Sequence, residues 1–169
     1  MRKIHYGVAM SLDGYIAGPN GEYDWIIEDP EIDMAAEFAR YDTVLVGRGT
    51  FELMVRESRA EIPGMQVMVF SRTLRPSDFP NVTIVADKHR EAIQALRQRP
   101  GKEILLWGGK LFHSLLEDGL VDVLDVGIIP VLLGGGLPLL PAPAALKKLQ
   151  LTEHKIYKSG IVGLQYAVK

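Results

Sequence analysis

The chain has no cysteine among its 169 residues. Disulfides, thiolate metal ligands and a cysteine nucleophile are therefore excluded, and the composition suits a reducing compartment. Long apolar runs are also missing. The longest, Val126 to Leu140, is broken by Pro130, Gly134-Gly135-Gly136 and Pro138 and falls short of the ~20 residues a membrane helix needs. Near the start, Arg2 and Lys3 supply charge, but His5, Ser11 and Asp13 interrupt the apolar stretch a secretory signal requires. Neither sign of charge dominates: 19 basic and 21 acidic residues leave a formal net charge of -2, without a pull toward nucleic acid or an anionic membrane. The expected location is the cytoplasm, with no nucleic-acid or membrane partner. His5, His89, His113 and His154 share neither metal-ligand spacing nor a common element, so no metal site is expected. A G-x-S-x-G elbow, a P-loop and a G-x-G-x-x-G after the first strand are all absent.

What is present is an ordinary globular composition, 47% hydrophobic and 24% charged, which with this length predicts one domain over residues 1–169. Short Val/Ile/Leu-rich runs alternate with helix-like segments, the pattern of an α/β protein with a mainly parallel sheet covered on both faces. Strands are expected near Ile4–Ala9, Thr43–Val46, Gln66–Phe70, Val82–Val85, Glu103–Trp107 and Val121–Ile128. Leu149–Tyr157 and Ile161–Val168, joined by Lys158-Ser159-Gly160, predict an antiparallel C-terminal hairpin. Asp29-Pro30-Glu31 has the form of a helix start, followed by an apolar face over Ile32–Ala39. Further helices are expected after Thr50, over Lys88–Arg97 and over Lys110–Glu117. The apolar but breaker-rich stretch Gly127–Pro143 predicts an irregular, largely buried loop, lining a cavity or simply packed on the core.

Two turns stand out. Strand Thr43–Val46 runs into Gly47-Arg48-Gly49-Thr50, where glycine allows close backbone approach and Thr50 could cap a helix whose N-terminus faces an anion. Arg48 adds a fork suited to phosphate. The second, Trp107-Gly108-Gly109-Lys110, opens another helix, and adjacent glycines reach unusual backbone geometry, including a cis peptide. Both lie at strand carboxyl ends, where ligands of open parallel sheets bind, and two such turns suit a diphosphate-bridged dinucleotide. Plain strand–turn–helix connections account for the same spacing. Ser71-Arg72-Thr73, after a third strand, offers hydroxyl, guanidinium and hydroxyl to a phosphate monoester, or is an exposed polar turn.

With these residues the chain resembles the dihydrofolate-reductase-like fold, and within it the reductase domain of riboflavin biosynthesis and its stand-alone bacterial relatives. The resemblance rests on Val8 to Ala17, Val46 to Glu52, Ser71-Arg72-Thr73, Trp107 to Leu111 and Pro130 to Gly136, in that order. It implies a three-layer sandwich with an eight- or nine-stranded sheet, NADP(H) across the strand ends, and a homodimer. Ala9, Ile16 and Ala17 would border the nicotinamide. Gly47, Arg48, Gly49 and Thr50 would hold the diphosphate and adenosine side, Ser71 and Arg72 the 2′-phosphate, and Gly108, Gly109, Lys110 and Leu111 the diphosphate from the opposite turn.

The implied activity is NADPH-dependent reduction of a small heterocycle, either a ribosylamino-pyrimidine of riboflavin biosynthesis or a related compound. Reduction of dihydrofolate or another pterin is an alternative, and a nucleotide-binding dimer without catalysis is a second. Asp13 and Asp33 are the candidate catalytic acids, although an Asp-Gly turn and a helix-start acid also explain them. Asp13, Trp25, Phe51 and Pro130 are the expected substrate contacts, with the loop Gly18 to Trp25 closing over the nicotinamide.

Overall fold

The computed structural model describes all 169 residues. Ten strands and four helices follow one another as β1 Ile4–Ser11, β2 Tyr15–Ala17, α1 Met34–Phe38, β3 Tyr41–Gly47, α2 Arg48–Arg56, β4 Gln66–Phe70, β5 Thr83–Val85, α3 His89–Gln98, β6 Glu103–Trp107, α4 Gly109–Glu117, β7 Val123–Ile129, β8 Leu137–Pro138, β9 Leu149–Ile156 and β10 Val162–Val168. Eight of the strands form one sheet in the order β5-β4-β3-β6-β1-β7-β10-β9. The first six run parallel, and β10 and β9 add the expected antiparallel hairpin. The continuous apolar runs of β3, β4 and β6 are what a strand buried on both faces requires. One pairing was not expected: β2 and β8 make a separate two-stranded sheet.

Helices cover the sheet on both sides, giving three layers. On one face Ile93 and Leu96 of α3 and Phe112, Leu115 and Leu116 of α4 pack against Ile4, Tyr6, Leu45, Ile104 and Leu106. Tyr6 stacks on Phe112 with ring centroids 3.8 Å apart. On the other face Phe51 and Met54 of α2 pack against Val44, Val46, Val67, Val69 and Leu105, with Phe38 of α1 alongside.

Several expectations need correction. The helix begins four residues later than the Asp29-Pro30 signal suggests, with Asp33 as its N-cap accepting from the Ala36 N–H at 2.9 Å. Asp29 instead is buried and accepts from the Glu31 and Ser159 N–H groups, so a tertiary contact has taken the acid that looked like a cap. Gly47, not Thr50, is the N-cap of α2. The Gly108–Gly109 peptide is trans; the chain's one cis bond is Ala142–Pro143. The stretch after Ile129 is not largely buried: no residue from Pro130 to Pro143 is fully buried and Leu132 is 72% exposed, although Leu139 and Leu140 pack against the core from outside.

Phe51 is wholly inaccessible and meets Phe79 edge-on at 5.0 Å, so it is a core side chain and not a substrate contact. Phe51→Ala should lower unfolding free energy by about 3–5 kcal/mol in urea denaturation, the cost of truncating a buried phenylalanine; a loss under 1 kcal/mol would contradict this packing.

Candidate active site

Because β5, β4, β3, β6, β1 and β7 are parallel, their carboxyl ends emerge along one edge, and the motif residues lie there. Val46 pairs with Trp107, so the turns leaving β3 and β6 are neighbours. They touch: Gly108 has φ +96°, and a Cβ there would collide with the Thr50 hydroxyl. A Cβ on Gly109 would lie 2.9 Å from Ile16 Cδ1, and one on Gly47 would lie 3.7 Å from Leu111 Cβ. Gly47, Thr50, Gly108, Gly109, Leu111 and Ile16 thus meet at one place. No side chain caps α2 or α4. Two nine-residue helices therefore present free N–H groups and positive dipole ends at adjoining turns. The space above Gly49 is open, with nothing within 4 Å of where its Cβ would stand. Backbone of this kind fits an anionic diphosphate, so the residues present suit a dinucleotide.

Beside this corner Arg48 reaches across to the third turn. Its Nη1 donates to Thr73 Oγ1 at 3.1 Å, and its Nε to Glu52 Oε1 at 2.8 Å. Arg72 is largely exposed, 4.0 Å from Asp87. Ser71 is buried, and its hydroxyl accepts from the Thr73 and Leu74 N–H groups at 3.2 Å. Its work is to shape the turn, which leaves Arg48, Arg72 and Thr73 as the exposed polar groups at this corner. Lys110 is exposed at the mouth of the second turn.

Asp13 has a definite set of partners. Oδ1 accepts from the Ser11 hydroxyl at 2.6 Å and the Leu133 N–H at 3.1 Å; Oδ2 accepts from the Gly134 N–H at 2.7 Å. These bonds, that from Ser11 foremost, hold its carboxyl below the ordinary aspartate range despite some opposing desolvation. A carboxylate so engaged ties the loop after β1 to the loop after β7, a role its Asp-Gly context alone would not disclose. Leu12 N to Val131 O and Leu139 N to Gly14 O add to the same seam. Asp33 caps its own helix, accepting from the Ala36 N–H. Trp25 is half-buried and donates from its indole to Glu22 O at 3.0 Å, anchoring its own loop. Pro130 is exposed and packs beneath Gly160 of the hairpin turn. Ala9 lies on β1, and Ala17 follows Ile16 on β2.

Sequence reasoning passed over a polar group on β1 and β7. His5 is 2% exposed, and its Nδ1 donates to Asp125 Oδ2 at 2.9 Å; Gln165 Nε2 donates to Asp125 Oδ1 at 2.7 Å. An acid inside an otherwise apolar strand is the signal that could have found it.

The fold and the glycine cleft define the class: the chain has the dihydrofolate-reductase-like fold. Dihydrofolate reductase of Enterococcus faecalis, solved with NADP(H) and RAB-propyl, superposes with a TM-score of 0.70 at 18% identity over 99% of this chain and 96% of that one. Residues 2–163 match the RibD C-terminal domain, and the chain belongs to that family. A protein of Shewanella sp. PV-4, provisionally assigned to riboflavin biosynthesis, superposes with a TM-score of 0.84 at 27% identity, over 100% of this chain and 99% of that one. The Thermotoga maritima diaminohydroxyphosphoribosylaminopyrimidine deaminase/5-amino-6-(5-phosphoribosylamino)uracil reductase gives 0.75 at 19% identity, over 99% of this chain and 57% of that one. Among curated proteins, the uncharacterized protein YyaP of Bacillus subtilis (strain 168) is 33% identical over 178 residues, covering 98% of this chain and 94% of the relative. No helix is long and apolar enough to cross a membrane.

The Asp13 seam makes a pH prediction. Because the folded carboxyl sits below its ordinary value, the seam is intact at neutral pH and weakens as pH falls through that lowered value. Amide protection at Leu133 and Gly134, followed by hydrogen exchange, should drop in Asp13→Ala at neutral pH; unchanged protection would show that the carboxylate does not hold the loop.

Proposed function

We propose that the chain is an NADPH-dependent reductase acting on a C=N or C=O carbon of a small heterocycle, of the 5-amino-6-(5-phosphoribosylamino)uracil reductase type. The observation that carries this is the junction at Thr50 and Gly108, where two uncapped helix N-termini meet beside the Arg48–Thr73 corner. Family membership and the reductase named among the structural neighbours support the same reading. Bound there, the cofactor would supply the hydride. The protein's share is position: Ala9, Ile16 and Ala17 border the reacting end, the helix ends hold the diphosphate, and Arg48 and Arg72 favour the extra phosphate of NADPH over NADH. The proton that balances hydride addition comes from solvent water, since Asp13 is held by the Leu133 and Gly134 N–H groups and Asp33 caps its own helix. The homodimer expected from the resemblance belongs to the same proposal. Exposed Leu149, Leu151 and Ile156 on the outer strand β9 are the apolar surface it would cover, and light scattering reads the mass.

Fluorescence titration should show NADPH binding, with Arg48→Ala weakening it by about tenfold, the loss of one charge-assisted phosphate contact, and barely affecting NADH. Absence of NADPH affinity would overturn the reductase reading. Loss of NADPH absorbance with the ribosylamino-pyrimidine, compared with dihydrofolate, then assigns the substrate class. In Gly108→Ala the new methyl meets Thr50 at a strained φ. It should cost about 1–3 kcal/mol of stability and weaken NADPH in the same titration; wild-type values in both would refute the close approach.

A further inference from the structure

The parallel sheet has a second edge, where the amino ends of β1, β3 and β6 meet the end of α3. A hollow of about 820 Å³ opens there, walled by the chain before β1, the turn into β3 and the connection from α3 to β6. Six basic side chains line it, Arg2, Lys3, Arg40, Arg97, Arg99 and Lys102, against the single carboxylate of Glu103. In a chain whose formal net charge is -2, that is a local reversal of sign. No aromatic residue lines the hollow. The seven-residue β3, which starts here and ends at Gly47, separates it from the glycine turns by about 20 Å.

Three of these cations build the wall. Arg40 pairs with Glu37 at 3.1 Å and Glu103 at 3.5 Å. The side chains of Arg2 and Arg97 are only 8% and 7% exposed. Arg2 commits Nε to the Lys102 carbonyl and Nη2 to Asp42 and Thr43. Arg97 commits Nε to the Arg2 carbonyl and Nη2 to both Asp122 oxygens. The Nη1 of each guanidinium has no partner in the protein, yet neither is sealed from solvent. Gly101 keeps the first of them uncovered: at φ +154°, a Cβ would stand 3.1 Å from Arg2 Nη1 and 2.7 Å from Asp42 Oδ2. A phosphoryl oxygen is the partner that such a planar fork fits.

Lys3, Arg99 and Lys102 form the rim. All three are exposed, and the ion pairs of this edge belong to Arg2, Arg40 and Arg97 instead. Lys102 Nζ donates to the Ala39 carbonyl at 2.8 Å, which fixes its ammonium at the mouth. The dipole of α3 accounts for basic residues at its carboxyl end, such as Arg97 and Arg99. Lys3 and Lys102 lie outside any helix and are not explained that way. Their like charges repel across the hollow, and an anion bound between them relieves that repulsion.

We propose that this hollow is a second ligand site, for a small flexible polyanion with two or three linked phosphoryl groups. The open Nη1 donors of Arg2 and Arg97 receive one group, and Lys3, Arg99 and Lys102 neutralise the others. A lone phosphate would leave most of the hollow and of the rim charge unmatched, and a nucleobase would find no ring on which to stack. The site shares no residue with the glycine cleft, so it stands whether or not the cleft takes NADPH.

The test is calorimetric titration with tripolyphosphate and with orthophosphate at about 0.15 M salt, where attraction between distant surface charges is screened. Tripolyphosphate should bind at least about tenfold more tightly than orthophosphate. The double variant Lys3→Gln, Arg99→Gln removes two exposed charges without an ion pair, so its melting temperature should match the wild type. Its tripolyphosphate affinity should fall at least about tenfold. The double variant Arg48→Ala, Arg72→Ala removes the same charge at the opposite edge and should keep that affinity within about twofold. Absence of tripolyphosphate binding, equal affinity for the two anions, or equal losses in the two double variants overturns the proposal. A loss confined to the Arg48 and Arg72 variant also overturns it, by placing the anion in the cleft.

Discussion

The parallel pairing of β3 with β6 is the constraint on which the rest depends. With Val46 opposite Trp107, the chain must leave both strands at the same level and turn into two helices within a few ångströms. That is possible because one turn carries Gly108 at positive φ, with no Cβ to strike Thr50. The helix N-termini then converge without side-chain caps, and their dipoles add at one point instead of being spread along the sheet edge. The same crowding commits Ile16, which fills the space against Gly109, so β2 is held by the turn it helps enclose.

Carboxylates do two distinct kinds of work around this cleft. Asp13, Asp29 and Asp33 accept backbone N–H groups and fix loop or helix geometry. Asp125 accepts side-chain donors on a strand face and keeps part of its acceptor capacity. Asp13 and Asp29 thus tie loops together and Asp33 caps its helix, whereas Asp125 joins side chains of β1 and β10 on one face of the sheet.

Much of the fold was legible one-dimensionally. Gln66–Phe70 and Glu103–Trp107 have the bounds their apolar runs suggest, because breakers flank a stretch that is buried on both faces. The place of the two glycine turns was legible too, since each follows directly on a buried strand, and Val46 opposite Trp107 makes them neighbours. Asp29-Pro30 misled because a local cap signal lost to a partner 130 positions away, Ser159. Phe51 misled because proximity to a glycine turn says nothing about which side of α2 faces the core. Asp125 was passed over although an acid between Leu124 and Val126 was a visible signal, and register with Gly7 and Gln165 is what joins it to its neighbours.

The buried Asp29 has a consequence in chain entropy. Its bond to Ser159 pins the stretch between β2 and α1 to the hairpin turn, close to the α1 end, and Glu31 with Lys158 adds a second fastening, 3.0 Å long. A single long connection becomes a shorter loop and a brief lead into α1, each with less freedom than the whole. The longer of the two is the segment before Asp29, and the contact with Ser159 fixes its far end to the hairpin turn.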